Sequence, residues 1–128
     1  MSSCVLDASA LIALFNQESG SDKVAQAIED GAVLSTINLS EVASKLNELG
    51  TPEAIIQTSI NVLELTTVDF NAELAYKTGL LRPHTKIAGL SFGDRACLAL
   101  AQHLNLPALT TDRVCKDLLP AVTVQLIR

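Results

Sequence analysis

The stretch Cys4-Val5-Leu6-Asp7-Ala8-Ser9-Ala10-Leu11-Ile12-Ala13-Leu14-Phe15 joins a strand pattern to a helix pattern through one acid. It opens on apolar residues, meets one acid, and continues with Leu11, Ile12, Leu14 and Phe15 at helical spacing. A short buried strand over Cys4–Asp7 that passes straight into a helix over Ala8–Phe15 is the repeating unit of an α/β protein. Side chains at the carboxyl ends of strands in such a sheet face one shared crevice. Asp7 is therefore expected on the wall of that crevice.

The same punctuation recurs outward along the chain. Gly20-Ser21-Asp22 restarts a helix to about Asp30, and Ala32–Ser35 reads as a second strand. A helix from about Asn38 to Leu49 stops at Gly50. Thr51-Pro52-Glu53 opens another that reaches about Leu63. Leu65–Val68 is a strand, and Asp69 caps a helix to about Leu81. Arg82–Leu90 reads as a loop, with Pro83 and Gly89 as breakers. Ser91–Leu104 is a helix, Ala108–Thr111 a strand, Asp112–Leu118 a short helix and Val122–Ile127 a last strand. Alternating strands and helices predict an α/β fold with a mostly parallel sheet. The 128 residues show no repeat or linker, so a single domain over 1–128 is expected.

Three more acids share the placement of Asp7. Glu41 and Asp94 fall in the first turns of the helices at Asn38-Leu39-Ser40-Glu41-Val42 and Ser91-Phe92-Gly93-Asp94-Arg95. Asp112 closes Ala108-Leu109-Thr110-Thr111. Each acid has a structural explanation. Glu41 follows Asn38 by three and Asp94 follows Ser91 by three, as in a capping box. Asp7 and Asp112 stand where N-caps stand. As a constellation they point elsewhere, because four carboxylates in one crevice repel one another unless a divalent cation lies among them. Hard oxygen donors suit Mg²⁺ or Mn²⁺, and such an ion activates water and neutralises charge growing on a phosphate. Ser9, Thr110 and Thr111 supply nearby hydroxyls, and Gly93 lets the backbone beside Asp94 approach another group closely.

Composition narrows the function classes. The net charge is -5, with ten acids against two bases (Lys23, Lys45) in residues 1–70 and four acids against seven bases in residues 71–128. The cationic second half suits local contact with a phosphate backbone. Arg82, Lys86, Arg95, Arg113 and Lys116 lie nearest the two downstream acids and are the candidates for it. Phe15, Phe70, Tyr76 and Phe92 are the only aromatic residues, too few for a surface that stacks bases. Cys4, Cys97 and Cys115 have no C-x-x-C spacing, which argues against a zinc site or a disulfide framework and fits a reducing cytoplasm. His84 and His103 have no partner at ligand spacing and read as surface residues. No P-loop, G-x-G-x-x-G or G-x-S-x-G motif occurs. The amino terminus lacks the features of a signal peptide, and no apolar run is long enough for a membrane span.

Leu6-Asp7-Ala8-Ser9-Ala10-Leu11, Asn38-Leu39-Ser40-Glu41-Val42, Leu90 to Ala101 and Leu109-Thr110-Thr111-Asp112-Arg113, in this order, resemble the PIN-domain ribonucleases. The nearest likeness is to VapC-type toxins of toxin–antitoxin pairs. That resemblance implies a PIN-like three-layer sandwich and an acidic quartet of Asp7, Glu41, Asp94 and Asp112. Asp7 and Asp94 would be direct Mg²⁺ or Mn²⁺ ligands, with Glu41 and Asp112 completing the site and Ser9 and Thr110 as auxiliary hydroxyls. It implies endonucleolytic hydrolysis of RNA, a homodimer, and a small VapB-like antitoxin that puts a basic side chain into the acids. Two other readings remain open: a PIN nuclease of RNA processing without an antitoxin, and a non-catalytic PIN-like interaction module.

Overall fold

The computed structural model describes residues 2–128. Five strands form one sheet: β1 (Cys4–Leu6), β2 (Ala32–Ser35), β3 (Thr66–Val68), β4 (Ala108–Thr110) and β5 (Val124–Leu126), in the order β3-β2-β1-β4-β5. Every pairing is parallel, so the sheet is wholly rather than mostly parallel. Among the described residues seven helices surround it: α1 (Ala8–Phe15), α2 (Ser21–Glu29), α3 (Thr36–Glu48), α4 (Glu53–Asn61), α5 (Ala72–Leu80), α6 (Arg82–Thr85) and α7 (Phe92–Leu104). No helix among the described residues is long and apolar enough to cross a membrane.

Alternation along the strands divides the core in two. Cys4, Leu6, Ala32 and Leu34 face a cluster with Leu11, Val24, Val42, Leu46, Ile56 and Ile60 from α1 to α4. Val5, Val33, Ala108 and Val124 face the other side, against Leu74, Leu98, Leu100 and their neighbours on α5 and α7. The result is three layers, helix on sheet on helix. Aliphatic side chains do the work, and fully buried ones such as Leu6, Leu11, Leu34 and Leu98 contribute about 2 kcal/mol each in transfer free energy.

Several boundaries differ from the sequence reading, each for a local reason. α3 begins at Thr36, not Asn38, because Ser35 ends β2 and at once caps the helix by accepting from Ile37 N–H. No loop separates strand from helix. Asn71, not Asp69, caps α5, accepting from Leu74 N–H at 2.9 Å. Arg82–Thr85 is one helical turn rather than loop, since Pro83 lies where proline suits a helix start. Asp112–Leu118 shortens to a single 3-10 turn over Arg113–Cys115. Asp117 then adopts φ +60°, which ends any helix. Gly20 has φ +91°, and a β-carbon there would overlap the carbonyl of Ile127, so only glycine lets α2 start against β5's exit.

Candidate active site

From β1 the chain crosses to β2 on one side, while the sheet continues through β4 on the other. The carboxyl ends of β1 and β4 therefore part at a topological switch point, where α/β sheets open a crevice. Asp7 follows β1 directly and Asp112 lies just past β4. Glu41 reaches this end of the sheet from α3, and Asp94 from the first turn of α7.

Asp7 is only 5% exposed. Its Oδ2 accepts from Ser9 Oγ at 2.7 Å and from Thr110 Oγ1 at 2.9 Å. Those hydroxyls in turn accept from the N–H groups of Thr111 (3.1 Å) and Asp112 (3.0 Å). The exit of β4 thus holds two hydroxyls that hold the carboxylate. Asp7 makes no side-chain cap to α1, so the capping reading fails for it. Burial pushes its pKa up to about 6; the Ser9 and Thr110 hydrogen bonds oppose the rise, and the charges of Asp94 and Glu41 add to it.

Asp94 and Asp112 do cap. Ser91 and Asp94 form a reciprocal capping box at α7, both bonds at 3.1 Å. Asp112 Oδ1 accepts from Val114 N–H at 3.0 Å. Capping does not disperse them, because one oxygen of each and the Cys115 sulfur all lie within 4.8 Å of one another. The Cys115 thiol is held far above its ordinary pKa, by burial and then by the charges of Asp94 and Asp112. It is a neutral neighbour of the acids at physiological pH.

Glu41 is not a cap, since α3 starts a turn earlier. Asn38 Nδ2 donates to Glu41 Oε1 at 2.7 Å and to the carbonyl of Gly93 at 3.1 Å. Glu41 leans against the first turn of α7, and a β-carbon on Gly93 would overlap its carboxylate. The close approach expected at Gly93 is therefore that of Glu41. Partial burial raises the Glu41 pKa, the Asn38 bond opposes the rise, and the charge of Asp94 adds to it.

Among the described residues no ion pair reaches these four acids; those present are Lys77–Glu73 and Arg128–Glu18. A donor set of carboxylates without histidine fits a hard divalent cation such as Mg²⁺ or Mn²⁺. The bases divide. Arg82, Lys86, Arg113 and Lys116 are exposed. Arg95 is turned inward, its guanidinium donating to the carbonyl of Thr78 at 3.3 Å and lying 5.8 Å from the Phe92 ring centre, so it is a poor candidate for a phosphate contact. His84 and His103 are exposed; Lys77 Nζ lies 2.7 Å from His103 Nδ1.

The sequence reading missed four neighbours of this site. Asn38 reads as a cap in the sequence, although its i, i+3 spacing from Glu41 places both on one helix face. Cys115 was not connected with the acids. Lys45 and Arg128 line a cleft of about 340 Å³ together with Ser9, Glu41 and Thr111. Lys45 follows Glu41 by four on α3, a readable signal; nothing in the sequence ties Arg128 to the site.

The sequence matches the family described as PIN domain over residues 4–118. No curated protein matches it. Among solved structures, the fold is similar to a chain of DNA-bound VapBC from Salmonella typhimurium, with TM-score 0.78, 17% identity, and 100% of both chains covered. It is similar to a chain of VapBC2 from Rickettsia felis bound to a promoter DNA fragment, with TM-score 0.74, 16% identity, and 95% and 96% covered. A toxin–antitoxin complex from Klebsiella pneumoniae gives TM-score 0.73 and 23% identity over 94% of this chain and 96% of that one. At these identities the likeness is one of fold.

Proposed function

This chain belongs to the PIN-domain family, and from that membership we propose that it is a Mg²⁺- or Mn²⁺-dependent endoribonuclease, the toxin of a toxin–antitoxin pair. The observation that supports the reading is that oxygens of Asp94 and Asp112 lie within 4.8 Å of one another, with Asp7 and Glu41 near enough to feel the charge of Asp94 and no cationic side chain among the described residues ion-paired to any of the four. The toxin assignment draws on the toxin–antitoxin complexes among the structural neighbours.

Asp94 and Asp112, whose oxygens lie close together, would hold the ion with Asp7, and Glu41 would complete the set. A bound divalent ion lowers the pKa of water and neutralises charge on the scissile phosphate. The chain's own groups supply the rest. Ser9 and Thr110 fix the orientation of Asp7 through their hydroxyl protons. The Ser91 box fixes Asp94. Arg82, Lys86 and Arg113 are the candidates to bind flanking phosphates of the RNA. The free acids form a socket for an antitoxin arginine, which would block the same oxygens. A homodimer and a VapB-like inhibitor complete the proposed assembly.

The test is RNA cleavage by purified, partner-free protein. Cutting should require Mg²⁺ or Mn²⁺ and stop with chelator. Expression without the product of a neighbouring small gene should arrest growth. Undiminished cutting by Asp94→Asn, or normal growth under high expression of active protein, counts against the reading.

A further inference from the structure

Asn38 is 0% exposed, and its carbonyl oxygen Oδ1 has no hydrogen-bond partner among the described residues. Its amide orientation is fixed by chemistry. The two groups it faces, the Glu41 carboxylate and the Gly93 carbonyl, only accept, so the NH₂ must point to them. Both amide protons are then used at the junction of α3 and α7, and the oxygen is left bare in the interior. Buried polar atoms are nearly always paired. Thr78 Oγ1 and Arg95 Nε are the other buried side-chain atoms left unpaired among the described residues, but of the three only Asn38 hydrogen-bonds one of the four acids. Gly93 supplies the second half of the arrangement, since any side chain there would evict Glu41.

We propose that Asn38 is a positioning residue which, with the bare backbone of Gly93, clamps the Glu41 carboxylate onto the first turn of α7 beside Asp94. This rests on the proposed metal-dependent reading of the crevice and deepens it. The clamp works by geometry: the 2.7 Å bond fixes Oε1, and Gly93 sets how close α3 and α7 approach. Oε2 receives nothing from Asn38. The first turn of α7 also favours the carboxylate through its positive dipole end.

The experiment is calorimetric titration of Mn²⁺ into the full chain, with RNA cleavage kinetics alongside. The variants are Asn38→Ala, Gly93→Ala, Glu41→Gln and the two doubles that carry Glu41→Gln. Loss of an outer group that orients a metal ligand costs about 10–100-fold in affinity or activity. Asn38→Ala and Gly93→Ala should each weaken Mn²⁺ by about 10-fold or more and lower kcat with KM for RNA near wild type. In the Glu41→Gln background both changes should be nearly silent, because the carboxylate they position is gone. Equal losses with and without Glu41 overturn the proposal, as does unaltered Mn²⁺ affinity in both single variants. If Asn38→Ala does not fold, Gly93→Ala decides alone, as it moves Glu41 without touching the amide. If Glu41→Gln itself leaves Mn²⁺ binding unchanged, the metal-site reading falls and this inference with it. If Glu41→Gln weakens binding but the clamp variants do not, this inference alone falls.

Discussion

Replacing Asp7 by asparagine should stabilise the metal-free protein. In the folded state burial pushes the carboxyl pKa up to about 6, against 3.8 for an unperturbed aspartate. Below about pH 4 both folded and unfolded chains hold the proton, and ionisation costs nothing. Between about pH 4 and 6 the folded chain keeps a proton that the unfolded chain releases, so stability falls as pH rises. Above pH 6 the penalty is complete, and a shift of about two units amounts to about 2–3 kcal/mol. Asparagine removes the charge while its carbonyl oxygen still accepts from Ser9 and Thr110. At about 4 °C per kcal/mol for a domain of this size, Asp7→Asn should raise Tm at pH 8 by about 8–12 °C. The assay is thermal unfolding with chelator, wild type against variant, from pH 3.5 to 8, so that other titrating groups cancel in the difference. Saturating Mg²⁺ should shrink or reverse the gap, because only the intact carboxylate rewards the ion. A variant less stable than wild type at pH 8 without metal, or a gap independent of pH, would show that the buried Asp7 charge does not destabilise the fold.

Asp94→Asn should abolish cutting while Tm stays level or rises, since the amide oxygen still accepts from Ser91 N–H; cleavage and calorimetry on one preparation check this. Mg²⁺ at 100-fold its Kd should add about 2.7 kcal/mol of stability, and chelator should remove it together with activity. Arg95→Ala should cost about 1–2 kcal/mol through the lost Thr78 bond and Phe92 packing, read in denaturant unfolding. Arg113→Ala should instead raise KM for RNA and leave stability within about 0.5 kcal/mol.

The layer order and the strands were legible because they rest on the shortest-range signals, apolar runs broken by one acid or glycine. The placement of Asp7 after β1 and Asp112 after β4 was legible because neighbouring strand ends in a parallel sheet share an edge. What escaped depends on contacts between distant segments. Asn38 and Glu41 look like a cap until Ser35 is seen to end a strand and start a helix without a loop between. Arg95 looks like a phosphate ligand until α5 supplies the Thr78 carbonyl that turns it inward. Arg128 meets the cleft through Glu18, 110 residues away. Cys115 enters because the segment after β4 makes a 3-10 turn rather than the expected helix. Apart from Asn38 and Glu41, three residues apart on one helix, none of these pairings leaves a periodic trace in the sequence.

The most direct test is anomalous diffraction from crystals of the protein equilibrated with Mn²⁺. Manganese is expected within coordination distance of the Asp94 and Asp112 oxygens, with Asp7 and Glu41 turned to the same ion or its waters. Crystals saturated with Mn²⁺ that show no metal in this crevice, or manganese bound only elsewhere, would contradict that expectation.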